Sequence, residues 1–184
     1  MYGMNRISLY AFLCIILGIF IFLYITQKNT FLLSQASQQL PSPTGILHAG
    51  MYPNPTYTPG NIIQGITSSQ ICLPGYSKTT RNVSVSTKQL VYQDYGVSYP
   101  QPKGSYEVDH FIPLELGGSN DISNLWPEPA NPKPGFHEKD IVENYLHSQV
   151  CNSQESLEQA QKDITSNWYG IYQHIPNHDA YTIK

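Results

Sequence analysis

The sequence is poor in charge and in cysteine. Of its 184 residues only 12% are charged, with 10 Lys and Arg against 13 Asp and Glu, and 3 are cysteine. This lack of positive charge excludes the proteins that bind nucleic acid through massed Lys and Arg, such as histone-like proteins and proteins with basic tails. Any contact with nucleic acid must therefore be local. The length suits one ordinary domain with accessory segments.

One long apolar run lies near the N-terminus. Residues 7–26 contain no charged side chain and are flanked by Arg6 and Lys28. As a helix the run would span about 30 Å, the thickness of the hydrocarbon core of a bilayer. It predicts contact with a membrane through residues 7–26, either as an uncleaved anchor or as a signal peptide that is cut after Ala36. If the small excess of positive charge before the run sets the orientation, the rest of the chain is extracytoplasmic, or secreted or periplasmic after cleavage.

Two of the cysteines lie in the part of the chain that follows this run. Cys14 falls within the run and is expected to behave as a small hydrophobic residue. An extracytoplasmic location would permit a disulfide between Cys72 and Cys151, which would contribute about 4 kcal/mol by closing a loop of about 80 residues. Two buried free thiols are nearly as compatible with the sequence, because pairing depends on geometry.

Composition divides the chain into three parts: 1–28 as signal anchor or signal peptide, 29–65 as a linker rich in Pro, Ser, Thr and Gln, and 66–184 as a domain. The domain carries eight Lys and Arg against thirteen Asp and Glu, a formal charge near −5. Its pattern predicts a helix, a hairpin and two further helices. The predicted helices lie at 85–95, before residue 151 and at 153–168, and the predicted extended segments at 106–116 and 122–126.

The residues that could bind a metal ion or take part in catalysis lie in the stretch YEVDHFIPLELGGSNDISNLWPEP, at 106–129. Asp109 and His110 are adjacent near the end of a predicted strand, so their side chains should point to opposite sides. A carboxylate is a hard oxygen ligand for divalent cations, and a neutral imidazole can accept a proton from water. A metal ligand beside a general base is the minimum needed for phosphodiester hydrolysis.

This stretch, together with KDIVENYLHSQVC at 139–151, resembles the HNH endonuclease family, in particular its bacterial secreted or membrane-tethered members. The resemblance covers about residues 60–168. It implies an α+β fold, a small ββα-metal domain with additional helices, in which a hairpin and a helix hold one divalent metal ion. Mg²⁺ is the expected ion, with Mn²⁺ or Zn²⁺ as alternatives. With the apolar run included, the expected fold class is this domain preceded by a transmembrane or signal helix.

The resemblance also implies roles for individual residues. Asp109 and His137 would bind the metal, and His110 would activate water as the general base. Asn124 would hold the hairpin loop so that His110 points correctly. Asp140 and Asn144 share a helical stripe with His137 and are alternatives or additions to it at the metal.

The expected function is metal-dependent hydrolysis of phosphodiester bonds in DNA or RNA. Because the domain is acidic, substrate binding would depend on the metal and on a few contacts, such as Lys78, Arg81 and Lys133. The alternative is a non-catalytic, membrane-anchored binding or assembly module that retains the same scaffold. A toxin-like nuclease would, in addition, require a neutralising partner protein.

Overall fold

The computed structural model of the protein describes residues 51–182. Two strands form one antiparallel sheet, and five α-helices and three short 3₁₀ turns surround it. In chain order the elements are α1 (Ser68–Ile71), α2 (Tyr76–Thr80), α3 (Val85–Asp94), β1 (Tyr106–His110), the 3₁₀ turns Leu114–Leu116 and Ile122–Asn124, β2 (Leu125–Pro129), α4 (Phe136–Cys151), α5 (Leu157–His174) and the 3₁₀ turn His178–Tyr181.

The register of the two strands decides which side chains share a face of the sheet. Asp109 lies opposite Trp126, and His110 lies opposite Leu125. Because side chains alternate along a strand, His110 shares a face with Val108, while Asp109 points to the other face. The Val108 face packs on α3 in a small apolar cluster. The Asp109 face is turned toward α4, whose Lys139 it contacts.

All three predicted helices are present, as α3, α4 and α5, and both ends of α5 differ from the predicted 153–168. α3 begins after Ser84, whose hydroxyl oxygen accepts a hydrogen bond from the backbone N–H of Thr87. α5 begins at Leu157 rather than at Ser153, because Ser153 has a left-handed backbone with φ of 57°. Its cap is Ser156, which accepts from the N–H of Gln159.

The main hydrophobic core lies between α4, α5 and the segments that cross them. Its buried members are Met51, Ile71, Ile112, Leu116, Val142, Leu146, Val150, Ala160, Ile164, Trp168 and Ile175. A disulfide joins Cys72 to Cys151, with 5.6 Å between their Cα atoms, and so confirms the predicted pairing. It fastens the end of α4 to the segment that follows α1.

Residues 51–65, which the sequence assigns to the linker, contact the domain. The indole Nε1 of Trp168 donates to the carbonyl oxygen of Met51 at 3.0 Å. The hydroxyl of Thr58, which is fully buried, donates to the carbonyl oxygen of Leu125 in β2 at 2.8 Å. This end of the predicted linker therefore packs against β2, the strand that pairs with the strand of Asp109 and His110.

The expected fold class, a ββα-metal domain preceded by a transmembrane or signal helix, is wrong. The described residues form a mixed α+β arrangement with a two-stranded sheet, but they contain no long apolar helix of the kind that the prediction required. None of the helices within residues 51–182 is long and apolar enough to cross a membrane. The polar residues that α4 and α5 carry between their apolar positions account for this. The apolar run at 7–26, on which the expected N-terminal helix depended, lies outside the described residues.

Candidate functional site

Asn124 ties together the two ends of the loop that joins β1 to β2. Its side chain is fully buried. Its Oδ1 accepts a hydrogen bond from the N–H of Ile112, and its Nδ2 donates to the carbonyl oxygens of Ile112 and Ser119, each at 2.9–3.0 Å. Its own carbonyl oxygen accepts from the N–H of Phe111, which continues the ladder past the end of β1. One amide side chain therefore fixes the chain directly after His110.

Gly118 allows this loop to close. A Cβ atom at this position would lie 1.7 Å from the carbonyl oxygen of Ile112 and 2.9 Å from Nδ2 of Asn124. No side chain fits in that space. The second glycine of the GGSND turn is therefore required by the close approach of two backbone segments.

His110 lies at the end of β1 and is 1% exposed. Its Nε2 is 3.2 Å from Oδ1 of Asn120, and its Nδ1 is buried without a hydrogen-bond partner in the described part of the chain. Burial lowers the pKa of His110, and the nearby Arg81 and Lys139 add to this effect, although Asp109 and Asn120 oppose it. The ring is therefore held neutral near physiological pH, with one ring nitrogen bonded and the other unsatisfied.

Asp109 points to the opposite face and forms a buried ion pair with Lys139 of α4. The ammonium of Lys139 is 2.6 Å from Oδ2 of Asp109 and 3.0 Å from the carbonyl oxygen of His110. Burial raises the pKa of Asp109, but the charge and hydrogen bond of Lys139 outweigh it, so that the pKa lies below its usual value. The same attractions raise the pKa of Lys139 although burial opposes them. Both groups are therefore charged.

Two further carboxyl groups surround the same ammonium. Glu143, one helical turn after Lys139, contacts its Nζ directly, and Oε2 of Glu128 in β2 lies 3.8 Å away. Burial raises the pKa of both carboxyls well above the usual value, since one cation opposes the combined effect of burial and of the neighbouring acids. Neither oxygen of Glu128 has a hydrogen-bond partner among residues 51–182. Asp109 thus carries the negative charge that balances Lys139.

The edge of this cluster carries one exposed cation and one unusual acid. Nη2 of Arg81 lies 4.0 Å from Oδ1 of Asp109, and the Arg81 side chain is 45% exposed. Burial, with the charge of Asp109, raises the pKa of Asp140 to about 7. Arg81 is therefore placed to contact an anion that approaches Asp109 from solvent.

The two predicted metal ligands lie in different surroundings. His137 is exposed at the start of α4, and its ring lies against that of Phe136 at a tilt of 51°, with 4.2 Å between the ring centres. Asp109 is buried on Lys139, and no hydrogen bond or ion pair within residues 51–182 joins it to His137. Asn144, the second alternative, donates instead to the carbonyl oxygen of Tyr181 at 2.9 Å. Binding of one metal ion by Asp109 and His137 therefore stays a prediction, and it would compete with the ion pair of Asp109 and Lys139.

One group of three metal-ligating side chains does lie close together in the described chain. The ligand atoms of Cys72, His147 and Cys151 are within 4.8 Å of one another. Both sulfur atoms belong to the disulfide, and Nε2 of His147 is also 3.1 Å from the carbonyl oxygen of Ile71. Because cysteine binds metal as a thiolate, this group could hold a metal ion only with the disulfide reduced.

Four residues of the site were not identified from the sequence: Asn120, Glu128, Lys139 and Glu143. Lys139 is the only Lys or Arg in α4. On β1, strand alternation places Glu107 and Asp109 on one face. Two acids on one face, beside a helix with a single cation, could have indicated that Lys139 pairs with one of them. Asn120 had no comparable signal, because its partners lie about 40 residues earlier in the chain.

Comparisons of the chain with protein-family models, with curated proteins and with solved structures find no match.

Proposed function

We propose that this chain hydrolyses phosphodiester bonds of nucleic acid, DNA or RNA, with His110 as the general base. The observation that carries the proposal is the state of His110. It is a neutral imidazole with one bonded and one unsatisfied nitrogen, beside a charged carboxylate and an exposed guanidinium. A group of this kind can accept the proton of a water molecule that attacks phosphorus.

In this proposal each residue has a separate task. Nδ1 of His110 takes the proton of the attacking water, and the guanidinium of Arg81 binds a phosphate oxygen. Asn124 fixes the loop after His110 and so sets the direction of the ring. Because His110 is 1% exposed, neighbouring side chains must move to admit water and phosphate before reaction.

The cleavage assay tests whether the reaction depends on a metal ion. The roles proposed for His110 and Arg81 do not require one. A divalent ion would supply charge against the phosphate and the leaving oxygen. Asp109 is already bound by the ammonium of Lys139, and His137 is exposed and forms no hydrogen bond or ion pair with Asp109, so the described residues do not assemble a set of ligands for that ion. No step of the proposed reaction therefore depends on it.

One observation favours the alternative, a non-catalytic binding or assembly module. A buried ion pair fully occupies Asp109, and His110 is closed to solvent. In such a module these groups would stabilise the hairpin and would have no role in chemistry. Full biological function after replacement of both residues would favour this alternative.

The test is cleavage of plasmid DNA and of RNA by the full chain at low salt. Reactions contain Mg²⁺, Mn²⁺ or Zn²⁺, or a chelator. We expect cleavage by the wild type and a loss of at least about 100-fold in rate for His110→Ala, which is the scale of general-base catalysis. His174→Ala is the matched control, because His174 is exposed near the end of α5 and should retain the wild-type rate.

Circular dichroism of each variant shows whether the fold survives. A folded His110→Ala variant that cleaves at the wild-type rate would remove His110 from the mechanism. A folded wild type that cleaves neither substrate under any of these conditions would favour the binding module.

We also propose an extracytoplasmic location for the described domain. The disulfide between Cys72 and Cys151 supports it, since disulfides persist in oxidising compartments. Protease accessibility in intact cells tests this location. Where the cells have an outer membrane it is removed first, and protection from the protease that persists until the inner membrane is lysed would contradict this location.

A further inference from the structure

The amide side chain of Asn120 connects His110 to a segment that precedes it by about 30 residues. Its Oδ1 lies 3.2 Å from Nε2 of His110 and accepts a hydrogen bond from the N–H of Asn82 at 3.1 Å. Its Nδ2 donates to the carbonyl oxygen of Thr80 at 2.9 Å. Every polar atom of this side chain therefore has a partner.

The two backbone partners fix the orientation of the amide. The carbonyl oxygen of Thr80 can only accept a hydrogen bond, so the NH₂ group of Asn120 must face it. The backbone N–H of Asn82 can only donate, so the amide oxygen must face that side. The atom that His110 meets is consequently an oxygen, which accepts and cannot donate.

This orientation determines the tautomer of His110. To bond an oxygen, Nε2 must carry the hydrogen, and a neutral imidazole carries only one. Nδ1 is then left with its lone pair, and it is the ring nitrogen that has no partner in the described structure. The nitrogen free to accept a proton is thereby specified by Asn120.

We propose that Asn120 is the positioning residue of His110: its Oδ1 holds the Nε2–H tautomer, so that Nδ1 is the atom that accepts a proton from water. The inference deepens the proposed function and rests on it for its catalytic meaning. The tautomer itself is a property of the resting protein.

The same amide also places Arg81. Thr80 and Asn82, which it binds, stand immediately before and after Arg81 in the chain. Arg81 reaches to 4.0 Å from Asp109 and is partly exposed. One side chain thus sets the tautomer of the base and the position of the cation that would bind phosphate.

Three variants of the full chain separate these effects. Asn120→Ala removes the acceptor for His110 and both contacts to residues 80 and 82. Asn120→Asp keeps oxygen acceptors for His110 and for the N–H of Asn82 but loses the donor to Thr80. Asn152→Ala is the control, because its exposed amide donates to Ser148 and lies after the C-terminal end of α4.

The readout is the ¹⁵N spectrum of histidine-labelled protein, well above the usual imidazole pKa of about 6.5. The His110 signals are assigned by their loss in His110→Ala. In the wild type, in Asn152→Ala and in Asn120→Asp we expect Nε2 protonated and Nδ1 bare. In Asn120→Ala the ratio of the two tautomers should shift toward Nδ1–H by about fivefold, the effect of one lost neutral hydrogen bond.

Kinetics gives the second readout. kcat of Asn120→Ala should fall, by up to about fivefold from the tautomer shift, because fewer molecules present a bare Nδ1. Asn120→Asp should keep more of kcat than Asn120→Ala while KM rises, because the segment that carries Arg81 has lost a contact.

A wild-type His110 protonated at Nδ1, or an unchanged tautomer ratio in a folded Asn120→Ala variant, would overturn the inference. If the tautomers behave as expected but the wild type cleaves no nucleic acid, the proposed function fails while the role of Asn120 stands. The spectrum and the cleavage assay therefore separate the two failures.

Discussion

Replacing Lys139 by methionine should destabilise the fold more than the same replacement at any exposed lysine. The Lys139 side chain is 1% exposed and its ammonium binds Asp109, Glu143 and the carbonyl oxygen of His110. Lys139→Met leaves Asp109, itself buried, with only the partly exposed guanidinium of Arg81 nearby, at 4.0 Å. Removal of one partner from a buried ion pair costs about 3–5 kcal/mol, chiefly because the other charge stays buried without compensation.

The sign of the pH dependence follows from the shifts in pKa. In the wild type the pKa of Asp109 lies below its unfolded value, so this residue contributes stability above that value, and the contribution is lost as pH falls. Without Lys139, burial raises the folded pKa of Asp109 above the unfolded value of about 3.9, and stability is lost as pH rises. The deficit of Lys139→Met should therefore grow between about pH 4 and pH 7.

Urea denaturation of the full chain at several pH values measures this deficit. Lys162→Met is the matched control, since Lys162 is exposed on α5 and the change should cost no more than about 0.5 kcal/mol. The double variant Lys139→Met, Asp109→Leu should recover most of the lost stability, because it removes both charges. A deficit below about 1 kcal/mol at neutral pH, or one that shrinks as pH rises, would refute the buried pair as described.

Two other changes test the parts that hold the site. Replacing both Cys72 and Cys151 by serine removes the disulfide, which joins residues 79 positions apart in the chain. In urea titrations without reductant, the free energy of unfolding should fall by about 4.5 kcal/mol. A loss below about 1 kcal/mol would contradict that expectation. Asn124→Ala should cost about 3 kcal/mol by the same measurement, because the buried N–H and carbonyl of Ile112 lose their partner, and an unchanged urea midpoint would contradict this.

Strand alternation and turn signals predicted several features of the hairpin. Strand alternation places Asp109 and His110 on opposite faces, and their partners in α4 and in the loop show this division. The GGSND turn signal is also present where expected, with Gly118 at a point where no side chain fits. These features depend on residues within about 20 positions of each other, which a sequence pattern can register.

The buried ion pair of Lys139 could not be predicted from such local patterns. A lysine four residues before a glutamate on a helix is usually a solvent-exposed pair, and only the packing of α4 on the sheet buries it. For the same reason the stripe of His137, Asp140 and Asn144 did not identify the contacts of α4. The residue of this helix that binds Asp109 is Lys139, one position before Asp140, while His137 faces solvent.

The charge balance of the domain connects these observations. The domain is acidic overall, and of its few cations one is consumed inside the protein, where Lys139 neutralises Asp109. The cation that remains beside the candidate base is Arg81, partly exposed and held by a backbone segment that Asn120 fastens to His110. An approaching phosphate would thus meet a single guanidinium in a largely negative surrounding, so binding must depend on the geometry of that one contact rather than on general attraction. In the proposed reaction, the orientation imposed by Asn120 would therefore matter for the phosphate as much as for the proton.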